Sequence, residues 1–488
     1  MTRRTWILPD PIAEADLERL GDHPPLHAQI LFRRGHRSPQ AVARFLAPGA
    51  APDIGDTSLQ GMAAAVDRLL AARRTGEGVV IFGDYDADGV TATAILLDVL
   101  QGLGWNASHY IPNRFHEGYG LSEAALREVA ATRAGLVVTV DCGIRSLAEV
   151  AWAQARGLDV IVTDHHQPGE ELPPARAVIN PRRRDETYRF LDLAGSGVAY
   201  KLGQAVCRAV GQPDPHDALD LVAMGTIADL APLVGENRDL VAEGLIRTNR
   251  KARPGIAALA AASGLRPGAV TASTIGFALG PRLNAAGRLL SADLALSLLR
   301  AKTTSEAEPH ARTLDDLNRE RQRLTQVTLE QAREMIVREG ELPPVLIAGS
   351  ADFPEGVVGL AAARLVEEFH RPAIVATIGE TVIRGSARSI PEFPITEALD
   401  ACRGYLLRYG GHATAAGFAI EKDRWRAFQE ALQDKARVAF GGGMPVPVLH
   451  VDAVAGPDDL REDLMRFLER LEPCGNGNPH PLFLLRDA

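Results

Sequence analysis

At 488 residues the chain is too long for one ordinary hydrophobic core, so two or three domains are expected. With 46% apolar and 24% charged residues it is not a disorder-dominated chain, and no apolar run is long enough to span a bilayer. A net charge of −9 argues against a nucleic-acid partner, but global charge is weak evidence, because a basic channel can coexist with an acidic exterior.

Residues 1–55 read as a helical lead-in closed by the linker-like "LAPGAAPD". Its opening, "MTRRTWILPDPIAEADLERL", lacks the apolar stretch of a signal peptide. Cys142, Cys207, Cys402 and Cys474 form no CxxC pair, which argues against a zinc knuckle or disulfide framework and for a reduced, cytoplasmic setting. From 56 to 302 the pattern alternates strand, loop and helix. The β-branched runs "GVVIFG" (78–83), "GLVVTV" (135–140) and "LDVIVT" (158–163) predict a parallel sheet buried on both faces. Residues 303–340 predict a long, partly exposed helix, with Leu314, Leu317, Leu324 and Val327 at three- to four-residue spacing. A second α/β pattern fills 341–440: "PVLIAG", the helical "GVVGLAAARLVEEF", strands "PAIVATI" and "TVIRGSARSI", and a glycine-marked turn in "RYGGHATAAGFAI". The segment 441–488 carries strand-like "PVLHVDAV" and "PLFLLRDA". The basic clusters "PRRR" (181–184) and "NRERQR" (318–323) read as solvated surface.

Each of the three predicted strands is followed at once by aspartate: Asp84, Asp86 and Asp88 in "DYDADG", Asp141 in "VDCG", and Asp164 in "TDHH". In an open parallel sheet the carboxyl ends of the strands share one edge, so these groups converge. Like charges held close favour protonation of one another unless a cation sits among them. With His165, His166 and Asp229 of "GTIADLAPL" added, the donor set suits a pair of Mn²⁺ or Mg²⁺ ions, and a carboxylate such as Asp141 can bridge them. Taken singly, an aspartate after a strand is more often a helix N-cap, and "DHH" is more often incidental. A calcium loop of the EF-hand type fits poorly, because the twelfth position is not glutamate and the flanks read strand then helix.

"DYDADG", "VDCG", "TDHH" and "GTIADLAPL" together resemble the four motifs of the DHH phosphoesterase superfamily. "GPRLNAAGRL" (280–289), "GSARSI" (385–390), "RYGGHATAAGFAI" (408–420) and "LEPCGNGNPHPLF" (471–483) narrow the resemblance to its single-strand-specific 5′→3′ DNA exonuclease branch. The resemblance implies two α/β lobes around a cleft, a DHH domain with a parallel sheet and a DHH-associated domain, joined by the long helix, with a partial OB-like segment at the C-terminus. It implies one metal on Asp86 and Asp141 and another on Asp88, Asp141, His165 and Asp229. His166 then stands beside the scissile phosphate, and Asp84 and Asp164 orient the ligands. Arg282, Asn284, Arg288, Gly410, Gly411 and His412 are implied as a phosphate grip, and Arg114, Ser386 and Arg388 as a hold on the 5′ end. Phe82 stands where many relatives carry histidine, and Pro354 follows Phe353 where Trp-His is common.

The implied activity is hydrolysis of single-stranded DNA from the 5′ end to 5′ mononucleotides in repair and recombination, with a single-strand-binding protein and a helicase as partners. Two rival readings are a DHH phosphodiesterase of short oligonucleotides or cyclic dinucleotides and a non-catalytic DNA-binding relative. Beyond residue 445 only Phe467 and Phe483 are aromatic, a poor stacking platform, so weak, salt-sensitive hold on long strands and low processivity are expected.

Overall fold

A computed structural model describes residues 4–47, 55–113, 120–337, 340–441 and 443–485. Its strands are numbered in chain order, β1 (Thr5–Ile7) to β14 (Phe483–Leu485). The chain divides into two compact units, Asp10–Asn318 with Asp452–Ala488, and Met1–Pro9 with Arg319–Val451.

In the first unit the three β-branched runs become β2 (Val79–Gly83), β4 (Leu136–Val140) and β5 (Asp159–Thr163), almost wholly buried. Two edge strands join them, β3 (Ala107–Tyr110) and β6 (Ala177–Ile179), in the all-parallel order β3-β2-β4-β5-β6. The edges were not foreseen, since "ASHY" is polar and "AVI" is only three residues long. One face packs Val79, Ile81, Val138 and Ile161 against the helices Met62–Thr75, Ala87–Gly102 and Gly195–Ala209. The other packs Val80, Phe82, Val137 and Val162 against Glu123–Ala131 and Leu147–Gln154. The strand order reverses between β2 and β4, and ligands in such sheets bind at that switch point, outside the carboxyl ends of the strands.

The long helix runs Thr304–Val337. Leu314 is buried on it and Leu317 half-buried, while Val327 is exposed beside the buried Thr328. The second unit holds β7 (Leu346–Ser350), β8 (Ala373–Ile378), β9 (Val382–Arg388), β10 (Leu406–His412) and β11 (Ala415–Glu421) in the order β10-β11-β9-β8-β7. Only β7 and β8 are parallel within that sheet. The glycine-marked stretch is therefore a β-hairpin, with Gly410 and Gly411 inside β10. Gly411 has φ +150°, and a Cβ there would overlap the carbonyl oxygen of Ala415, so no other residue fits. The helices Val358–Phe369 and Trp425–Phe440 cover the two faces of this sheet, and β1 pairs in parallel with β12 (Val448–His450).

A third core joins segments more than 400 residues apart: Leu26, Ile30, Leu31 and Val42 pack with Ala453, Leu464, Phe467 and Leu471. His27 stacks flat on Phe467, with ring centroids 4.1 Å apart. One of the two C-terminal aromatics is thus core, and Phe483 packs half-buried against the same cluster. Among the described residues no barrel closes: β13 (Ala453–Ala455) pairs only with β14. Arg238, buried on the helix Gly235–Arg250, ties the pieces together. Its guanidinium lies over the Phe45 ring and donates to the carbonyls of Phe45 (2.6 Å), Leu471 (3.0 Å) and Glu472 (2.9 Å). Arg238→Ala leaves these buried carbonyls unsatisfied and should destabilise by about 3 kcal/mol. Chemical denaturation with hydrogen exchange at residues 25–45 checks this; a loss below about 1 kcal/mol would contradict the linchpin role.

Candidate metal centre

The motif after β2 folds as a tight turn into the helix Ala87–Gly102. Asp86 is its N-cap, with Oδ1 accepting from the amides of Asp88 (2.9 Å) and Gly89 (3.0 Å). The bland N-cap reading and the metal reading therefore hold for the same residue, because capping uses one carboxylate oxygen. Asp88 points the other way, its Oδ2 and Oδ1 accepting from the amides of Gly195 (2.6 Å) and Ser196 (2.9 Å) at the start of the helix Gly195–Ala209. That helix terminus fixes the carboxylate and favours its charge.

Asp141, directly after β4, sits at φ +61°, a left-handed conformation that aspartate tolerates better than most residues. Asp164 organises the loop after β5: Oδ2 accepts from Ile144 N (2.9 Å), and Oδ1 from His165 N (2.7 Å) and His166 N (3.0 Å), with His166 Nδ1 at 2.8 Å. His165 Nε2 stands 2.9 Å from Asp141 Oδ1, 3.7 Å from Asp229 Oδ2 and 3.9 Å from Asp88 Oδ2. Asp84, Asp86 and Asp141 form one group whose ligand atoms lie within 4.8 Å of one another, and Asp88, His165 and Asp229 form a second; Asp141, His165 and His166 overlap both. Two adjacent groups of oxygen donors, one with an imidazole, fit two small divalent cations of the Mn²⁺ or Mg²⁺ type. Asp84 falls inside the first group, within reach of the same ion as Asp86 and Asp141.

The walls of this site are glycine. A Cβ on Gly89 would lie 2.6–2.7 Å from Asp84 atoms, one on Gly195 2.8 Å from Asp141, and one on Gly225 would overlap the Asp88 carboxylate. A Cβ on Gly287 would overlap the Tyr85 carbonyl. Gly195, Ser196, Gly225 and Gly287 escaped the sequence reading, since their contribution is absence of bulk or a backbone amide. The small-residue run "AGSG" ahead of a helix is the one signal for the Asp88 cradle. Phe82, where relatives carry histidine, is fully buried and stacks on Tyr110 (5.3 Å between centroids), so it belongs to the core.

The expected phosphate-grip residues are placed less uniformly. Arg282 is engaged by Asp315 (2.9 Å) and the Ala278 carbonyl (2.8 Å), and Asn284 Oδ1 accepts from Ala87 N (2.8 Å), bracing the Asp86 turn. Arg288 lies one turn beyond Asn284 on the helix Gly280–Leu289, half-buried. In the second unit, register sets Gly410, Gly417 and Ser386 in one row and His412, Ala415 and Arg388 in the next row of the same sheet face. Arg388 Nη1 donates to Ser386 Oγ (3.0 Å), and a Cβ on Gly359, in the first turn of the helix Val358–Phe369, would lie 2.8 Å from that Oγ. Phe353 is buried, and its carbonyl accepts from Thr377 Oγ1 (2.7 Å). Arg114 lies outside the described residues.

The DHH family N-terminal domain matches residues 78–226, the DHHA1 domain 342–437 and the RecJ OB domain 451–488. The single-stranded-DNA-specific exonuclease RecJ of Escherichia coli is 38% identical over 482 residues, covering 94% of this chain and 83% of its own. The chain belongs to the RecJ family. RecJ of Bacillus subtilis is 40% identical over 466 residues, and the match takes in 95% of this chain but 59% of that relative's length. The crystal structure of Thermus thermophilus RecJ with Mn²⁺ superposes with a TM-score of 0.86 at 34% identity, covering 99% of this chain and 70% of the other; the same protein with Mg²⁺ gives 0.80 at 31%, covering 99% and 68%. Both ions named in those RecJ-family structures are the ones the donor set here suits.

Without a cation the cluster carries protons. Burial, then the charge of Asp86, pushes the Asp88 carboxyl up to about 6. Burial, then Asp88 and Asp86, takes Asp229 to about 8, and Asp141 is raised well above its usual range by burial and the same neighbours. Burial opposes charge on His166 too, but its hydrogen bond to Asp164 and the surrounding carboxylates raise it to about 9. Asp164 is lowered because, against burial, it is bonded by His166 and faces both histidines. Raised carboxyls stabilise the metal-free fold below about pH 4, and that contribution disappears as pH climbs through about 6 for Asp88 and 8 for Asp229. The His166 contribution is full below 6.5 and is lost through about 9, whereas that of Asp164 is present throughout this range. In chelator the melting temperature should therefore fall from pH 5 to 8.5, and the gain on adding Mn²⁺ should widen over the same interval. Paired thermal melts decide it, and a gain that shrinks with pH would contradict the cluster's electrostatics.

Proposed function

We propose that this RecJ-family chain is a metal-dependent exonuclease that hydrolyses single-stranded DNA from the 5′ end, releasing 5′ mononucleotides. The observation that carries the reading is the gathering of Asp86, Asp88, Asp141, His165 and Asp229 at the switch point of the parallel sheet, in two groups of donors that a third, Asp141 with His165 and His166, links. Bound there, two divalent cations supply positive charge to the phosphodiester oxygens and ease deprotonation of the attacking water.

The chain's own groups do the positioning. Asp141, strained in the left-handed region, stands with Asp84 and Asp86 on one side and with His165 and His166 on the other, which suits a bridging carboxylate. His166, kept charged by Asp164, donates to the scissile phosphate. Ser386 and Arg388 take the 5′-terminal phosphate, assisted by the amides in the first turn of Val358–Phe369. On that sheet Gly410 and His412 share the face of Ser386 and Arg388, with Gly411 between them, so that backbone can approach phosphate; Arg282, Asn284 and Arg288 supply further phosphate donors, Asn284 while bracing the Asp86 turn. Water attacks in line with the departing 3′ oxygen. The setting that suits this activity is cytoplasmic DNA repair and recombination, with a single-strand-binding protein and a helicase supplying the strand.

Asp141→Ala should cut turnover of end-labelled single strands in Mn²⁺ by more than about 100-fold, beyond what loss of a ligand-orienting residue costs. Its thermal unfolding in chelator should stay cooperative, so that the loss is read as loss of the ligand and not of the fold. Turnover within a few-fold of the parent would sink the assignment. Arg388→Ala removes charge-assisted bonds worth about 1.5–3 kcal/mol, so cleavage of 5′-phosphorylated strands should drop about tenfold or more relative to 5′-hydroxyl strands. Equal losses on both substrates would show that Arg388 grips another phosphate.

A further inference from the structure

Asp229 occupies an unusual backbone position. It closes the helix Leu219–Ala228, with Leu230 N donating to Ile227 O (3.1 Å) and Ala231 N to Thr226 O (3.1 Å), the paired bonds of a Schellman motif. The left-handed position of that motif is normally glycine. Here it is Leu230, at φ +59° and with its side chain 69% exposed, so side-chain burial does not compensate the strain.

What does hold it comes from the far end of the chain. Residues 475–478 form a tight hairpin closed by Gly475 N to Asn478 O (2.9 Å) and Asn478 N to Gly475 O (3.1 Å). Asn476 donates from Nδ2 to Leu230 O (2.6 Å), and its own carbonyl accepts from Leu233 N (2.7 Å). Gly475 and Gly477 lie so close to the loop that a Cβ would meet Leu233 Cδ1 at 2.8 Å and Pro232 Cβ at 3.1 Å. The hairpin is anchored in turn: Asn478 Nδ2 donates to Leu471 O (3.1 Å) and Pro473 O (2.8 Å), and Arg34 donates to Asn478 Oδ1.

We propose that Asn476 is a positioning residue for the metal centre, clamping Leu230 in its left-handed conformation so that the Asp229 carboxylate stays aimed at His165 and Asp88. The inference rests on the reading of Asp229 as a metal ligand. The segment "CGNGNP" thereby acts on the chemistry through the fold, whatever it contributes to binding a strand.

The test is Mn²⁺ binding by calorimetry on the full chain, with chelator melts and single-strand kinetics alongside. Asn476→Ala should weaken one of two Mn²⁺ sites about tenfold, the scale expected when a ligand's supporting bond is lost, and leave the other within twofold. The metal-free melting temperature should change by less than about 2 °C, under the scale of a 1 kcal/mol loss. The strand KM at saturating Mn²⁺ should stay unchanged. Asn476→Asp, which puts an acceptor against the Leu230 carbonyl, should do no better. Leu230→Gly in the Asn476→Ala background should recover Mn²⁺ affinity, because glycine takes the left-handed conformation without the clamp. Unchanged affinities in Asn476→Ala, while Asp229→Ala removes a site, would overturn the clamp; so would failure of the glycine rescue. If Asp229→Ala leaves both sites intact, the ligand reading itself falls, and the clamp with it.

Discussion

Mutual repulsion among buried carboxylates at one edge of the parallel sheet is the constraint around which the first unit is built. Asp84, Asp88, Asp141 and Asp164 are all nearly inaccessible, with Asp86 and Asp229 beside them. A fold tolerates such a set only if each oxygen is given a donor or a cation. The chain uses helix-terminal amides for Asp86 and Asp88, two imidazoles for Asp164 and Asp141, and leaves the remaining oxygens clustered. What is left over is a deficit of positive charge with a definite shape, and the shape is that of two divalent ions. Glycines at 89, 195, 225 and 287 follow from the same constraint, since the carboxylates can converge only if nothing else fills the space.

The second unit solves a complementary problem. On one face of its sheet small residues and donors stand side by side, Gly410 and Gly417 with Ser386 in one row and Ala415 with Arg388 and His412 in the next, which is what the proposed phosphate contact needs. Antiparallel register, not sequence proximity, assembles that face: His412 and Arg388 flank Ala415 on either side of β11 although 23 residues lie between them in the chain.

How much of this was legible in the sequence depends on the physical origin of each feature. Strand-end aspartates were readable because a buried parallel strand is a continuous apolar run and the polar residue after it marks the sheet edge. The edge strands β3 and β6 were not, because short, half-exposed segments carry neither the run nor the alternation. Gly410 and Gly411 looked like a turn, since glycine pairs usually punctuate; both lie inside β10, where Gly411 allows the close approach of the Ala415 carbonyl. Asn284 and Arg282 read as phosphate donors from their chemistry; their bonds to Ala87 N and to Asp315 could not be read, since tertiary packing sets them. The amide cradle of Asp88 could not be read at all from residue types, because every residue carries an amide.

The core shared by residues 20–46 and 453–474 has a consequence for how the molecule is made. In a chain synthesised from its N-terminus, the first helices emerge several hundred residues before the surface they bury, so Leu26, Ile30, Leu31 and His27 stay exposed through most of translation. That contact is among the most non-local in the fold, and non-local closures are slow. The loop beyond Asp229 meets the 475–478 hairpin only at the same late moment. Until then the loop that carries Asp229 lacks its contacts with Asn476, so the surroundings of the carboxylate cluster are finished only when the last-made segment docks.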